Sequence, residues 1–550
     1  MAGPPERALG RYRGVGAQAL AALAIFLAGC GFDHPPRVRL DPQVQRPGAS
    51  VVLITVDGMS VPVMDELLAD AALPNVCWMI DNGVRVQQAV SGCPTVTYSQ
   101  LTSLLTGRFP GHHGILGNHW FDRYSLTYRD YATTETYRWV DGDFRDPTLY
   151  ERLRDRMTVS IQCAVRRGAT RVVDNWASTG IRWFFQMYDC VDQLMPTRFE
   201  LVAELANQTG RWPELVHAYF PSTDEVGHRW GRASPQYRAA LRNVDRQIGR
   251  IRSAVESAGM TDRTFFVLVS DHGHVLVPKQ NYFDIAGWLR RARGLAVTET
   301  VYRHHAYEAR HRFYSTRDAV VVVDGDRMGM VHLRGPHGWH ERPTRLQLAR
   351  LIEPTAGLRP IWQHDGVLLA ACRGVPEEGE TAVELYSRWG HSRISARYVG
   401  GPRLYRYDVL SGDALGDWAD AGLSASIAAG EHDGSQWFEA TAGSLYPDFI
   451  VQLVALFDSP RAGDVVLFAA DGWDFRPGNR GGHGSILAAD LRIPMIFVGP
   501  GIAKGRTIPR ARLVDVAPTV LHLIRGHGLL DHEPPMDGVD LTSQLFGRRE

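Results

Sequence analysis

The residues best suited to chemistry fall in short acidic and imidazole groups spread along the chain. They are Asp57 in VVLITVDGMS, Asp224 and His228 in HAYFPSTDEVGHRWG, Asp271 and His272 in TFFVLVSDHGH, and His483 in NRGGHGS. Singly, each has an ordinary explanation. An Asp-Gly pair after an apolar run is commonly a turn, and a histidine four residues after an aspartate is commonly a surface or packing residue. Together they offer carboxylate oxygens and imidazole nitrogens in the mixture that suits two divalent borderline ions such as zinc. A second concentration, GCPTVTYSQLTSLLTGRFPGHHGILGNHWFD over residues 92–122, holds hydroxyls, histidines, an asparagine, a cysteine and an arginine. A hydroxyl in that stretch can become a nucleophile near neutral pH if a cation on its oxygen lowers its pKa. Residue chemistry alone leaves Thr95, Thr97, Tyr98 and Ser99 all open for that part.

Elements must hold these groups. The dense apolar run from Val51 stops at Asp57-Gly58, the pattern of a buried strand ending in a loop, and TFFVLVSDHGH repeats it. Such strands alternate with helical stretches such as PQYRAALRNVDRQIGRIRSAVESAG, which predicts an α/β core carrying functional groups at strand ends. Residues 98–106 predict a helix with Leu101, Leu104 and Leu105 on its buried side and Gly107 as its stop. Thr97 then sits at the helix N-terminus, where unpaired N–H groups favour phosphate oxygens. We divide the chain into a first part of the catalytic core (51–284), an inserted or cap region (285–460) and a second core part (461–550). The insert holds an expected hairpin around Asp324-Gly325 and short strands in LLAACR and RISARYV. GDVVLFAADGW, RIPMIFVGPG and VDVAPTVLHLIRG are assigned to the returning core.

Formal net charge is zero over 550 residues, so composition gives no sign of a nucleic-acid-binding surface. Arg7, Arg11 and Arg13 precede AQALAALAIFLAGC, which is too short to span a bilayer and is shaped like a secretory signal. Its end, Leu27-Ala28-Gly29-Cys30, resembles a bacterial lipoprotein signal. That resemblance implies a signal peptide over 1–29, lipidation of Cys30, a Pro-rich tether over 30–50 and membrane attachment of an exported, periplasmic or cell-surface protein. Cys77, Cys93, Cys163, Cys190 and Cys372 remain, an odd number with no zinc-knuckle spacing.

The ordered set of DG after the first strand, PTVTY…TGRFPGHHGILGN, Asp224-x-x-x-His228, SDHG, GGHGS and the coda DVAPTVLHLI…MDGVDL resembles the alkaline phosphatase superfamily, in particular its nucleotide pyrophosphatase/phosphodiesterase branch. The resemblance covers residues 51 to about 285 and 465 to about 545. It implies a three-layer α/β sandwich with a central, largely parallel sheet and an inserted cap. It implies two divalent ions, zinc by preference, one held by Asp57, Asp271 and His272 with the nucleophile oxygen, the other by Asp224, His228 and His483. Family spacing selects Thr97 as nucleophile and Asn118 as the hydrogen-bond donor to a phosphoryl oxygen. His112, His113, His119 and His274 are left with loop or packing roles, although His274 follows the ligand loop directly and so can lie near the substrate. Cys93 does not fit a sulfatase signature.

The implied activity is phosphoric ester hydrolysis on a small-molecule diester or pyrophosphate, through a covalent phosphothreonine intermediate. Monoesterases of the superfamily that carry threonine add a Lys-x-Arg pair. The nearest local match, AVRRGAT, has Arg167 but puts Val165 where the lysine belongs. A phosphomonoesterase and a non-catalytic lipoprotein that binds phosphoryl ligands are the rival readings. Phe121, Trp230 and Trp473 are candidates for a leaving-group pocket, and the insert is the expected determinant of specificity.

Overall fold

Ser50–Val56, Leu215–Phe220 and Thr264–Ser270 are buried at every position, which only the centre of a sheet covered on both faces allows. In the computed structural model they lie side by side and parallel, with Val56 opposite Phe220 on one flank and Ser270 on the other. All three therefore end at one edge of the sheet, which delivers Asp57, the start of the helix Ser222–Trp230, and Asp271 with His272 to one place. Thr158–Ile161 and Arg171–Val173 continue the parallel part; on the other side Met495–Val498 runs antiparallel to Thr264–Ser270 and Gly83–Val90 antiparallel to Met495–Val498, completing most of a nine-stranded sheet.

Alternation along Ser50–Val56 separates the two layers that cover this sheet. Val52, Ile54 and Val56 face a cluster with Leu67, Met79, Phe199 and Ile248, from helices Val61–Ala69, Pro74–Asp81, Met195–Thr209 and Pro235–Ser257. Val51 and Leu53 face Leu101, Leu104, Leu105 and Val520, from Thr97–Thr106 and Val516–Arg525. This is the expected three-layer α/β sandwich. The helix Thr97–Thr106 ends at Gly107 in the left-handed region at φ 70°, a conformation that costs glycine no steric penalty.

A second nine-stranded sheet, antiparallel except at its Val297–Thr298 edge, occupies most of the expected insert. Its hairpin Ala319–Asp324 and Met328–Leu333 matches the expectation for AVVVVDGDRMGMVHL. One assignment changes. Val465–Ala469, read as returning core, pairs with Met328–Leu333 on one side and Val367–Arg373 on the other, so the second sheet crosses the expected boundary at 460. The reason is physical: a fully buried five-residue apolar strand has the same pattern in any sheet covered on both faces.

The described residues are 39–133, 135–174, 176–354, 358–416, 430–526 and 534–547. The lipoprotein-type signal, Cys30 and the first part of the expected tether lie outside them. The tether's second part packs on the body: Val44 is buried in the core, and Gln45 exchanges backbone hydrogen bonds with Gly210 and Trp212 at 2.7 and 2.9 Å. No helix among the described residues is long and apolar enough to cross a membrane. The five described cysteines are free thiols.

Candidate functional site

Asp57 leaves the end of its strand at a turn that only glycine can complete without strain. Gly58 has φ 62°, and a Cβ there would lie 2.9 Å from Asp224 Oδ1. The close approach brings the segments that follow Ser50–Val56 and Leu215–Phe220 into contact. Asp57 Oδ1 lies 3.2 Å from His272 Nε2, and Asp271 Oδ2 lies 3.7 Å from the same nitrogen. Asp224 faces His228 Nε2 at 3.4 Å through Oδ2, and His483 Nε2 at 3.5 Å and His274 Nε2 at 3.6 Å through Oδ1. Ligand atoms converge in three compact trios: Asp57, Asp271 and His272; Asp224, His272 and His483; and Asp224, His228 and His274. The first is the trio expected for one ion. In the others Asp224 is common, meeting His228 through Oδ2 and His483 through Oδ1, with the two rings 5.1 Å apart.

The imidazole tautomers follow from their outer contacts. His228 Nδ1 faces Gly481 O at 2.8 Å, His272 Nδ1 faces Gly273 O at 2.9 Å and His483 Nδ1 faces Thr95 O at 2.6 Å. A carbonyl only accepts, so each Nδ1 carries a proton and each Nε2 is the nitrogen turned inward, available to a cation. The carboxylates are anchored on one side and open on the other. Tyr219 OH donates to Asp57 Oδ2, and Gly58 N and His272 N donate to Asp271 Oδ1 at 3.1 and 3.0 Å. Asp57 Oδ1, Asp224 Oδ1 and Asp271 Oδ2 are buried without a hydrogen-bond partner.

Unpaired buried carboxylate oxygens beside inward imidazole nitrogens are unfavourable unless a cation joins them. The site therefore fits divalent metal. The titration of the bare groups agrees. Burial and the Asp224 charge push Asp57 well above the usual carboxylate range, and burial with the Asp57 charge does the same to Asp271. Burial opposes ionisation of Asp224 as well, but His228 and His483 outweigh it and hold this carboxyl low. Burial alone lowers His228, yet Asp224 raises it, whereas burial and His272 push His483 down.

Thr97 is the first residue of its helix, with Oγ1 3.4 Å from His272 Nε2. Among the four hydroxyls left open by residue chemistry, the others have separate duties. Thr95 Oγ1 reaches Ser485 O at 3.3 Å, Tyr98 OH donates to Tyr131 O at 3.0 Å and Ser99 Oγ donates to Ile115 O at 2.7 Å. Asn118 Oδ1 accepts from Tyr98 N at 3.0 Å, which ties it to the first turn of the helix and keeps its amide donor for the adjoining cleft of about 670 Å³.

The histidines of the 92–122 stretch divide as expected, with one qualification. His113 is buried, with Ser103 Oγ 3.0 Å from Nε2 and Ile115 N 3.1 Å from Nδ1. His112 lies between Asp537 and Asp458 at 2.7 and 3.2 Å; burial pulls its pKa down, but the two carboxylates outweigh it and lift it to about 9. His119 lines the cleft, held by Asp324 at 3.2 Å and Asp130 at 3.3 Å. Of the candidate aromatics, Trp230 lines the cleft. Phe121 is packed in the core against Tyr314 and Trp339, and Trp473 packs near His364.

Several contributors escaped sequence reasoning. The Asp324-Gly325-Asp326 turn of the second sheet enters the site: His483 N donates to Gly325 O at 2.8 Å, and Arg327 N donates to His483 O at 3.1 Å. Arg327 is in turn fixed by a fully buried ion pair with Asp490 at 2.9 Å. The turn was legible, but its long-range contact was not. Tyr219, whose hydroxyl donates to Asp57 Oδ2, sits in a strand buried at every position, which gives no local sign of that contact. Arg167, the weak match to a monoesterase cation, is occupied elsewhere: it pairs with Glu151 at 3.0 Å, donates to the carbonyls of Asp141, Phe144 and Asp146, and stacks on the Phe144 ring. Val165 is buried.

The sequence profile of the type I phosphodiesterase / nucleotide pyrophosphatase family matches residues 51–340. Human ectonucleotide pyrophosphatase/phosphodiesterase family member 7 is 26% identical over 222 residues, covering 38% of this chain and 45% of that protein. A pyrophosphatase/phosphodiesterase of Schizosaccharomyces pombe, described as uncharacterized, is 23% identical over 231 residues, covering 41% and 44%. The chain spans about half the length of these curated relatives. Among solved structures, murine ectonucleotide pyrophosphatase / phosphodiesterase 5, in an inactive threonine-to-alanine variant complexed with AMP, superposes with a TM-score of 0.57 at 15% identity, covering 91% of this chain and 100% of that one.

Proposed function

Because the chain belongs to the type I phosphodiesterase / nucleotide pyrophosphatase family, we propose that it hydrolyses a phosphate diester or pyrophosphate with Thr97 as nucleophile and two divalent ions, zinc by preference. The observation that carries this reading is the position of Thr97 Oγ1, 3.4 Å from His272 Nε2 at the edge of the Asp57, Asp271 and His272 trio. Asp57, Asp271 and His272 would hold one ion together with the Thr97 oxygen, and Asp224, His228 and His483 the other. Bound there, the ions supply a lowered hydroxyl pKa and neutralise charge on the attacking and leaving oxygens.

Thr97 Oγ gives up its proton and forms a bond to phosphorus, and the bond from phosphorus to the leaving oxygen breaks, that oxygen departing as the alcohol once it takes up a proton. Water then attacks phosphorus and gives up one proton, the Oγ–P bond breaks and Thr97 Oγ takes up a proton. Asn118 donates to a nonbridging oxygen from a position fixed by Tyr98 N. The first-turn N–H groups of the Thr97–Thr106 helix add favourable dipoles at the same place. Trp230 offers a flat face for the organic part of the substrate, a nucleoside being the natural choice given the AMP held by the murine structure.

The engagement of Arg167 by Glu151 and the Phe144 ring favours a diester over a monoester. A dianionic phosphate needs a charge-assisted donor that a buried valine cannot provide. Assayed side by side, bis-nitrophenyl phosphate should be turned over faster than nitrophenyl phosphate. The reverse order would make the protein a phosphomonoesterase, and two bound metals with no turnover of either ester would make it a binding protein.

The proposal includes export and anchoring through a lipidated Cys30. Cells fed labelled palmitate should label the protein in the membrane fraction, and Cys30→Ser should abolish the label. A labelled Cys30→Ser variant would contradict the anchor.

A further inference from the structure

We infer that His274 is an additional protein ligand for the ion at the Asp224 and His228 end of the site, an inference that rests on the two-metal reading above. His274 is completely buried, and neither ring nitrogen has a hydrogen-bond partner; the Val275 backbone stands near the ring without reaching good geometry. A neutral imidazole has one N–H to give and one lone pair to receive, so leaving both unused in a dry site is costly. Other buried histidines of this chain do not behave this way. His217 meets Thr55 Oγ1 at 2.9 Å through Nε2 and Tyr150 OH at 3.1 Å through Nδ1, and His113 meets Ser103 and Ile115. His332 leaves only Nε2 without a partner.

The vacant Nε2 points at the site. It lies 3.6 Å from Asp224 Oδ1, itself buried and unpartnered, and its ring is 5.1 Å from that of His228. Asp224, His228 and His274 together place one ligand atom each within a single compact group. The backbone makes room for this arrangement. Gly227 stands between Asp224 and His228 on the helix Ser222–Trp230, where a Cβ would lie 2.5 Å from His274 Nε2. A Cβ on Gly481 would lie 2.5 Å from His274 Cε1. Glycine weakens a helix interior, so its presence at 227 is accounted for by the ring that must pass beneath it. Asp224 with His228 and His274 gives a carboxylate and two imidazoles in one compact group, a donor set suited to zinc that leaves a position open.

Zinc affinity in competition with a chromogenic chelator, measured on the full chain after removal and return of metal, tests the assignment. The native protein should take up two ions. His274→Gln should bind one of them at least about ten-fold more weakly and the other normally. A packing role would instead lower the melting temperature of the metal-free variant and leave both affinities unchanged, which would overturn the inference. A native protein that does not hold two ions would overturn the underlying reading instead. Should the variant not fold, zinc-edge anomalous diffraction from native crystals decides. Nε2 of His274 at about 2.0–2.1 Å from an ion supports the assignment, and a longer, non-coordinating distance overturns it.

Discussion

Replacing Thr97 with alanine should lower phosphodiester turnover by roughly 10⁴-fold or more, the scale of loss when a covalent nucleophile is removed, while zinc content stays close to that of the native protein. The two halves of this expectation have separate causes. In the proposed reaction Thr97 provides the atom that attacks phosphorus, and Tyr98, Ser99 and Thr95 cannot replace it because their hydroxyls are committed to Tyr131 O, Ile115 O and Ser485 O. The residues proposed to hold metal, by contrast, are fixed by contacts that do not involve Thr97. Tyr219 holds Asp57, the Gly58 and His272 amides hold Asp271, and carbonyls set the tautomers of the three histidines. Alanine is also a good helix residue, so the first turn should survive. Activity and metal content measured on one preparation check both parts; turnover near the native rate would sink the nucleophile assignment.

Asp224→Asn should reduce zinc affinity by about 10²-fold or more at one of the two positions, with a matching loss of turnover. Asp224 belongs to two of the three compact trios and touches His228, His274 and His483 within 3.4 to 3.6 Å. No other carboxylate stands at that end in those groups. Asparagine keeps the size but not the charge, and it turns one oxygen into a donor facing imidazole nitrogens that point inward. The ratio of zinc to protein, read after equilibration with a weak chelator, should fall from about two to about one. An unchanged ratio would count against a second ion held there.

The edge of the sheet that carries the acidic and imidazole groups was readable because its strands are long apolar runs that stop abruptly at Asp57 and Asp271. Period and burial carry that information within a single segment. The helix Thr97–Thr106 was readable for the same reason, with leucines on one side and Gly107 at its end. What the sequence could not convey was which sheet a buried strand joins. Val465–Ala469 carries no local mark that it pairs with Met328–Leu333 and not with Ser50–Val56. The role of the Asp324-Gly325-Asp326 turn was hidden likewise. A turn is encoded locally, but its contact with His483 depends on packing between segments far apart in the chain. His274 was passed over because the resemblance already filled the ligand set, whereas its unpaired nitrogens are visible only once its surroundings are known.

A covalent ester on Thr97 is expected during turnover. It is tested most directly by quenching the native protein in acid during turnover of a phosphodiester and analysing its peptides by mass spectrometry. A peptide containing Thr97 should carry the phosphoryl group with the retained ester substituent, absent before substrate is added. Rapid turnover with Thr97 unmodified, or with the adduct on another residue, would contradict it.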